Sequence, residues 1–346
     1  AAFFMVLLLL LCFVGIYLSW KKDKVWLNTV ILCFTTLVIG FSIFSIVIIR
    51  SSVKTPTNEY QPDNPYTLVR YLGREQYGSN PLIYGQTYDA AYELEDSWYW
   101  APMGDRYIKA RGQVHPVYDS KTKMLFPRMW SSDERHRDFY DWYVYDGASR
   151  PRSVNVDGRS YEVPTMGQNL KYFFGYQLNW MYWRYFMWNF VGRQNDIHSP
   201  VPGDPFKGNW ESGVGFIDRL MLGDQRDAPE ALLNNPGKNH YFFLPLLLGL
   251  IGLLFQSFRD KRGAWVTFLL FFMTGIAIVI YLNQPPYQVR ERDYAYAGSF
   301  YAFSIWIGLG VAALAGWVNE KLGSGTARVG GSLAVSLLCM GVPVLM

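Results

Sequence analysis

The sequence predicts a polytopic α-helical membrane protein of about six spans with a large mixed α/β extracytoplasmic region. Three observations predict it. The apolar residues gather into runs near twenty residues long, the length that crosses a bilayer as a helix. One polar stretch of about 190 residues interrupts those runs. The short loops at residues 21–24, 259–262 and 321–328 are Lys/Arg-rich, and each is separated from the next by one outer loop, as alternate sides of a membrane require. A mean hydropathy of +0.01 averages over two unlike populations. A soluble chain would spread its apolar residues at helix or strand period instead.

The first run covers residues 1–20, and Lys21, Lys22, Asp23 and Lys24 follow it. The second covers about residues 25–49. Together residues 1–50 form two predicted transmembrane helices, and residues 51–240 the extracytoplasmic domain. The third run, about 241–258, ends in Arg259, Asp260, Lys261 and Arg262. The fourth, about 265–282, leads into a polar loop at 283–299, and the fifth follows at about 300–318. A loop with Lys321 and Arg328 precedes a sixth at about 329–346, so residues 241–346 supply about four helices. Basic short loops mark the cytoplasmic side. The basic loops at 21–24, 259–262 and 321–328 therefore lie inside, and residues 51–240 and 283–299 face the extracytoplasmic side of an inner membrane. The first residue then also lies outside. Without an initiating Met or a basic leader, and ending inside an apolar run, the chain reads as an internal or C-terminal-side portion of a longer protein.

Residues 169–190 (NLKYFFGYQLNWMYWRYFMWNF) are long enough to cross. A crossing here would break the charge alternation, and the mixture of Trp, Tyr, Lys171 and Arg184 suits a helix lying in the interface. In the fifth span Gly308, Ala312 and Gly316 recur every four residues, which predicts a face for close helix packing; Gly249 and Gly252 form a weaker version in the third.

The net charge of +4 and the lack of a basic block argue against a nucleic-acid partner. Cys12, Cys33 and Cys339 all lie in apolar runs, which implies buried thiols and no disulfide framework. No motif implies a metal or a cofactor: HExxH, GxSxG and a P-loop are all missing from the sequence. In the outer region, residues 68–77 read as a helix interrupted by Gly73. Residues 113–118 and 153–163 read as strands, the second folding into a hairpin at Asp157-Gly158.

The loop running from Gln284 to Tyr294 carries the most suggestive chemistry. Arg290 and Arg292 sit where outer loops are usually Arg-poor, with Glu291 and Asp293 beside them. A guanidinium presents a planar fork of donors that fits phosphate, so the pair is a candidate site for a lipid-linked phosphate. The structural alternative is a salt-bridge knot among these four residues that fixes the loop. Arg184 is a second candidate, with Trp180 and Trp188 one turn to either side; it suits either cation–π support for an anion site or a snorkelling interfacial charge. Arg193, Asn195 and Asp196 follow as a polar cluster that could hold a hydroxyl-rich ligand or end the helix. An aromatic content of 18% fits both a sugar-stacking surface and interfacial belts.

Several blocks carry a resemblance: residues 64–85 (NPYTLVRYLGREQYGSNPLIYG), Phe126-Pro127-Arg128-Met129, residues 181–196 (MYWRYFMWNFVGRQND), 241–254 (YFFLPLLLGLIGLL) and 271–311 (FFMTGIAIVIYLNQPPYQVRERDYAYAGSFYAFSIWIGLGV). They resemble a bacterial family of large multi-pass membrane proteins, similar to the eukaryotic transmembrane O-mannosyltransferase of plexin-type receptors. Both are similar to the GT-C glycosyltransferase superfamily. The resemblance implies transfer of a sugar from a polyprenyl-phosphate donor to an extracytoplasmic acceptor, normally a protein Ser or Thr hydroxyl. The implied partners are the lipid-linked donor, a protein or glycan acceptor and membrane lipids. The acidic motif that the resemblance places in the N-terminal membrane domain is not found in this chain, so no catalytic carboxylate is assigned. Two other classes remain open: a non-catalytic structural or docking subunit of an envelope complex, and a component that transports a lipid-linked substrate. The latter would need ionisable residues within its spans, and these runs carry almost none.

Overall fold

The computed structural model describes residues 2–58, 61–73, 80–145, 149–225, 228–322 and 325–344. These divide into two compact units. The first comprises Ala1–Ser79 with Asp96–His115, and the second Asn80–Glu95 with Pro116–Met346.

In the first unit, α1 (Ala2–Lys21) and α2 (Val25–Ser42) pack against each other. Apolar side chains such as Leu11 and Val14 face outward on α1, which water would penalise and lipid does not. What joins the two helices is polar: the Asn28 amide donates to the Ile16 carbonyl at 2.9 Å and to Ser19 Oγ at 3.0 Å. A break at residues 43–44 separates α2 from α3 (Ser45–Ser52). α4 (Pro65–Leu72) starts on an Asn64 cap that accepts from the Tyr66 and Thr67 amides, satisfying donors that a helix start leaves open. The predicted helix at 68–77 is therefore shifted toward the N-terminus, and residues 74–77 lie outside the described residues.

Strands β1 (Tyr84–Gln86) and β4 (Lys123–Leu125) pair antiparallel in the second unit. Between them, β2 (Tyr92–Met103) and β3 (Arg106–Tyr118) form a hairpin whose far part belongs to the first unit. The sequence pattern suggested only its last six residues. α5 (Glu134–Tyr143) has no counterpart in the sequence reading: half of its residues are charged, and only Phe139 and Tyr140 are buried. β5 (Arg152–Val156) and β6 (Arg159–Val163) form the expected hairpin. Asp157 and Gly158 both have positive φ (51° and 82°), as the tight right-twisted turn requires.

A continuous helix then runs through α6 (Met166–Tyr172), a π-wound stretch Phe173–Trp183 and α7 (Arg184–Phe190). It is the core of the unit. Tyr176, Trp180, Tyr182, Tyr185, Phe186 and Trp188 are all buried in protein. β7 (Gly192–Arg193) leads away from it, followed by α8 (Gly215–Leu222) and α9 (Glu230–Leu233). β8 (Asn239–His240) pairs back on β7 and brings the chain to α10 (Leu244–Arg259). α11 (Lys261–Thr274) and α12 (Ile276–Leu282) meet at a break on Gly275, and α13 (Ala297–Lys321) and α14 (Thr326–Val344) complete the unit.

Among the described residues three helical stretches are long and apolar enough to cross a membrane: Val25–Ser52, Lys261–Leu282 and Asp293–Lys321. Shorter apolar helices cover Val6–Lys21, Leu244–Arg259 and Thr326–Gly341. The packing glycines differ from the expected stripe. A Cβ on Gly308 or Gly316 would meet nothing within 4 Å. The close crossing is between α10 and α13, where a Cβ on Gly252 would overlap the Trp306 carbonyl and one on Gly310 the Leu248 carbonyl. The weaker pair, Gly249 and Gly252, thus marks the true contact. Of the cysteines, Cys12 is buried but Cys33 is exposed.

Candidate functional site

The two candidate regions of the second unit meet at Glu291. Its carboxylate receives Arg184 Nη2 at 2.7 Å on Oε2, and the Tyr185 hydroxyl donates to that same oxygen at 2.5 Å. Oε1 accepts the Ser199 amide at 3.0 Å, with His198 Nδ1 at 3.4 Å. The pair is nearly dry: the Arg184 and Glu291 side chains are 2% and 15% exposed. Burial pushes the Glu291 carboxyl up, but the Arg184 charge, the Tyr185 hydroxyl and the Ser199 amide outweigh it and hold the carboxyl below its ordinary range.

Each nitrogen of the Arg184 guanidinium has a partner. Nε donates to the Trp180 carbonyl at 3.1 Å and Nη1 to the Gly208 carbonyl at 2.9 Å. Its guanidinium carbon lies 4.0 Å from the Trp180 ring and 4.7 Å from Trp188. The approach of Gly208 needs glycine: φ is +59°, and a Cβ would stand 2.7 Å from the Ile197 carbonyl and 3.2 Å from Arg184 Nη1. The expected snorkelling charge is instead an internal strut, and Trp180 and Trp188 are packed in protein.

The other residues of the polar cluster hold this frame. Trp188 donates to the Asn209 carbonyl at 3.1 Å and lies under Arg193, 4.1 Å from its guanidinium carbon. Arg193 Nε donates to the Asn195 carbonyl at 2.9 Å. Asn195 is fully buried; it donates to the Phe206 carbonyl and accepts the Gly208 and Ile197 amides, so it shapes the loop that presents Gly208 to Arg184. Asp196 is exposed and accepts from the Asn235 amide at 2.9 Å.

The salt-bridge knot within residues 290–293 does not form, because Glu291 turns to Arg184. Arg290 is exposed, donating to the Tyr294 hydroxyl at 3.1 Å. Arg292 donates its backbone amide to the Tyr185 hydroxyl at 3.3 Å, while its buried Nε has no hydrogen-bond partner. Among the described residues neither guanidinium pairs with a carboxylate, and Asp293 makes no ion pair. Glu291 is thus committed to Arg184, while Arg290 and Arg292 keep guanidinium donors that no carboxylate takes, the kind of donor an anion accepts from.

Sequence reasoning missed the residues that fix the loop's near end. Asn283, at positive φ (41°), donates to the Pro81 and Pro127 carbonyls at 2.7 and 2.8 Å. The Gln177 amide donates to Asn283 Oδ1 at 3.0 Å. Arg128, fully buried and lying over Phe126, donates to the Ile280 and Leu82 carbonyls. Burial lowers its pKa to about 10, and the carbonyl end of α12 supplies the compensating partial charge. The only sequence signal was an Asn directly after an apolar run, a common helix terminator.

A model for a family of unknown function (DUF8416) matches residues 78–174. No curated protein and no solved structure matches the chain.

Proposed function

We propose that this chain is part of a GT-C-type membrane glycosyltransferase, with Arg290 and Arg292 holding the phosphate of a polyprenyl-phosphate sugar donor. The acceptor is an extracytoplasmic one, a protein Ser or Thr hydroxyl. The observation that carries the reading is the asymmetry of the loop: Glu291 is bound to Arg184, while both flanking guanidinium groups keep donors free of any carboxylate. An Arg pair that served only to fix the loop would be expected to pair with Glu291 and Asp293. The three shorter apolar helices are taken as further spans, for about six in all. In the second unit the basic residues 259–262 then face the cytoplasm of an inner membrane and the loop at 283–299 faces the periplasm.

Arg184, Tyr185 and Glu291 act in this reading as positioning residues, which hold the loop without touching the donor. The test is sugar transfer from a polyprenyl-phosphate donor by the full-length protein carrying Arg290→Ala and Arg292→Ala. Loss of one charged contact should cost about 2–4 kcal/mol of transition-state stabilisation, a 30- to 1,000-fold fall in rate. Lys at either position should retain part of the activity, since charge survives and the fork does not. Normal transfer by a well-folded double variant would reject the reading and favour a structural subunit of an envelope complex.

A further inference from the structure

The second unit carries a concave site that shares no residue with the loop at 283–299. The base of the β2–β3 hairpin, the Asp119–Ser120 corner and the tip of the β5–β6 hairpin enclose a cleft of about 620 Å³, within the range of small-ligand sites. Every residue lining it falls between positions 91 and 161, inside the segment matched by the family model.

We infer that this cleft binds a saccharide, through the rings of Tyr92, Tyr118 and Tyr161 and the free charges of Glu93 and Arg159. Tyr92 and Tyr118 stand edge to face, with ring centroids 6.0 Å apart and planes at 64°, so two ring surfaces of different orientation line one space. The electron-rich face of a phenol attracts the weakly positive C–H face of a pyranose. The ring edge of a sugar offers hydroxyls that both donate and accept. A carboxylate that only accepts and a guanidinium that only donates complement it. Glu93 and Arg159 make no ion pair or side-chain hydrogen bond among the described residues, and both are exposed. Asp119 is half committed, since Oδ1 accepts the Lys121 amide at 2.7 Å. The aliphatic lining is limited to Ala91, Val117 and Val156. That is too little for the apolar anchor a peptide side chain would need, so a sugar fits better than an unglycosylated polypeptide.

The experiment uses the whole protein in detergent micelles and saturation-transfer NMR. The probes are methyl α-mannopyranoside, methyl β-glucopyranoside, N-acetylglucosamine, their disaccharides, and a Ser/Thr-containing peptide without sugar. Wild type should transfer saturation to pyranose C–H protons of at least one saccharide. Tyr92→Ala and Glu93→Gln should weaken that binding at least fivefold, while Tyr92→Phe, which keeps the ring, should retain it. Both positions are exposed, and circular dichroism checks that each variant is folded. The paired variant Arg290→Ala/Arg292→Ala should leave saccharide binding unchanged, which separates this cleft from the proposed donor site. The inference is overturned if no saccharide responds, if only the peptide responds, if the Tyr92→Ala and Glu93→Gln variants bind as wild type does, or if the Arg290/Arg292 variant abolishes the signal.

Discussion

Replacing Glu291 by Gln removes one charge from a nearly water-free pair while keeping the side chain's shape. Arg184 then stays buried, 2% exposed, with carbonyl partners and aromatic faces but no counter-charge. The new amide nitrogen cannot accept, so either the Ser199 amide or the Arg184–Tyr185 pair loses an acceptor. Breaking a buried ion pair from one side costs about 3–5 kcal/mol. For a chain of this size that corresponds to a fall of roughly 4–7 °C in melting temperature. Arg184→Met alone should cost a similar amount, since it leaves Glu291 charged and buried. The double variant Arg184→Met/Glu291→Gln should cost clearly less than the two singles added, because neither charge is then stranded. The assay is thermal melting of the purified protein in micelles, run as a double-mutant cycle. Single variants that each cost under about 1 kcal/mol, or costs that simply add, would refute the claim that this pair holds the loop.

Acid should act on the same pair. Glu291 has a lowered folded-state pKa, so its contribution is fully present above the ordinary carboxylate pKa and is lost as pH falls through the lower folded value; melting measured from pH 6 to pH 3 should show a decline that flattens in Glu291→Gln. Gly252→Ala should destabilise the α10–α13 crossing by about 1–3 kcal/mol or more, while Gly308→Ala, with open space around it, should be neutral by the same melting assay. Asn283→Ala strands two carbonyls and the Gln177 amide and places Ala at positive φ; a loss of about 3 kcal/mol or more is expected, visible as faster proteolysis near residue 283. In a cysteine-free background, Lys121→Cys should label from outside with an impermeant maleimide and Arg262→Cys should not; equal labelling would overturn the proposed orientation.

Hydropathy made the helical framework legible, because each apolar run is long and its neighbours are sharply polar. α10 and α13 fall within a few residues of their expected places. The Asp157-Gly158 hairpin was legible because its turn chemistry is local. What stayed hidden was long-range. The Arg184–Glu291 bond joins positions 107 apart, and nothing in residues 290–293 says that Glu291 will leave its own neighbours. Small-residue spacing was ambiguous for a similar reason. Gly308 and Gly316 obey the same period as a packing stripe, but which face meets a neighbour depends on the partner helix. α5 escaped because charged residues cover most of its surface.

The π-wound stretch makes chain length, more than side-chain identity, the sensitive variable in the central helix. Tyr172 and Gln177, five positions apart, both donate to the Gln284 carbonyl, at 3.1 and 2.9 Å. In an α-helix, five positions differ in azimuth by about 140°, which sends the two side chains toward different sides; hydrogen bonds spanning five residues bring them closer to one side. Arg184 follows directly after this stretch, and its bearing on Glu291 is the running total of every turn before it. Removing one residue from Phe173–Trp183 while keeping its aromatic composition would relax the winding toward 3.6 residues per turn and swing Arg184 away from Glu291. The helix therefore works as a phase setting between its two ends, and a one-residue deletion there should be more damaging than most substitutions within it.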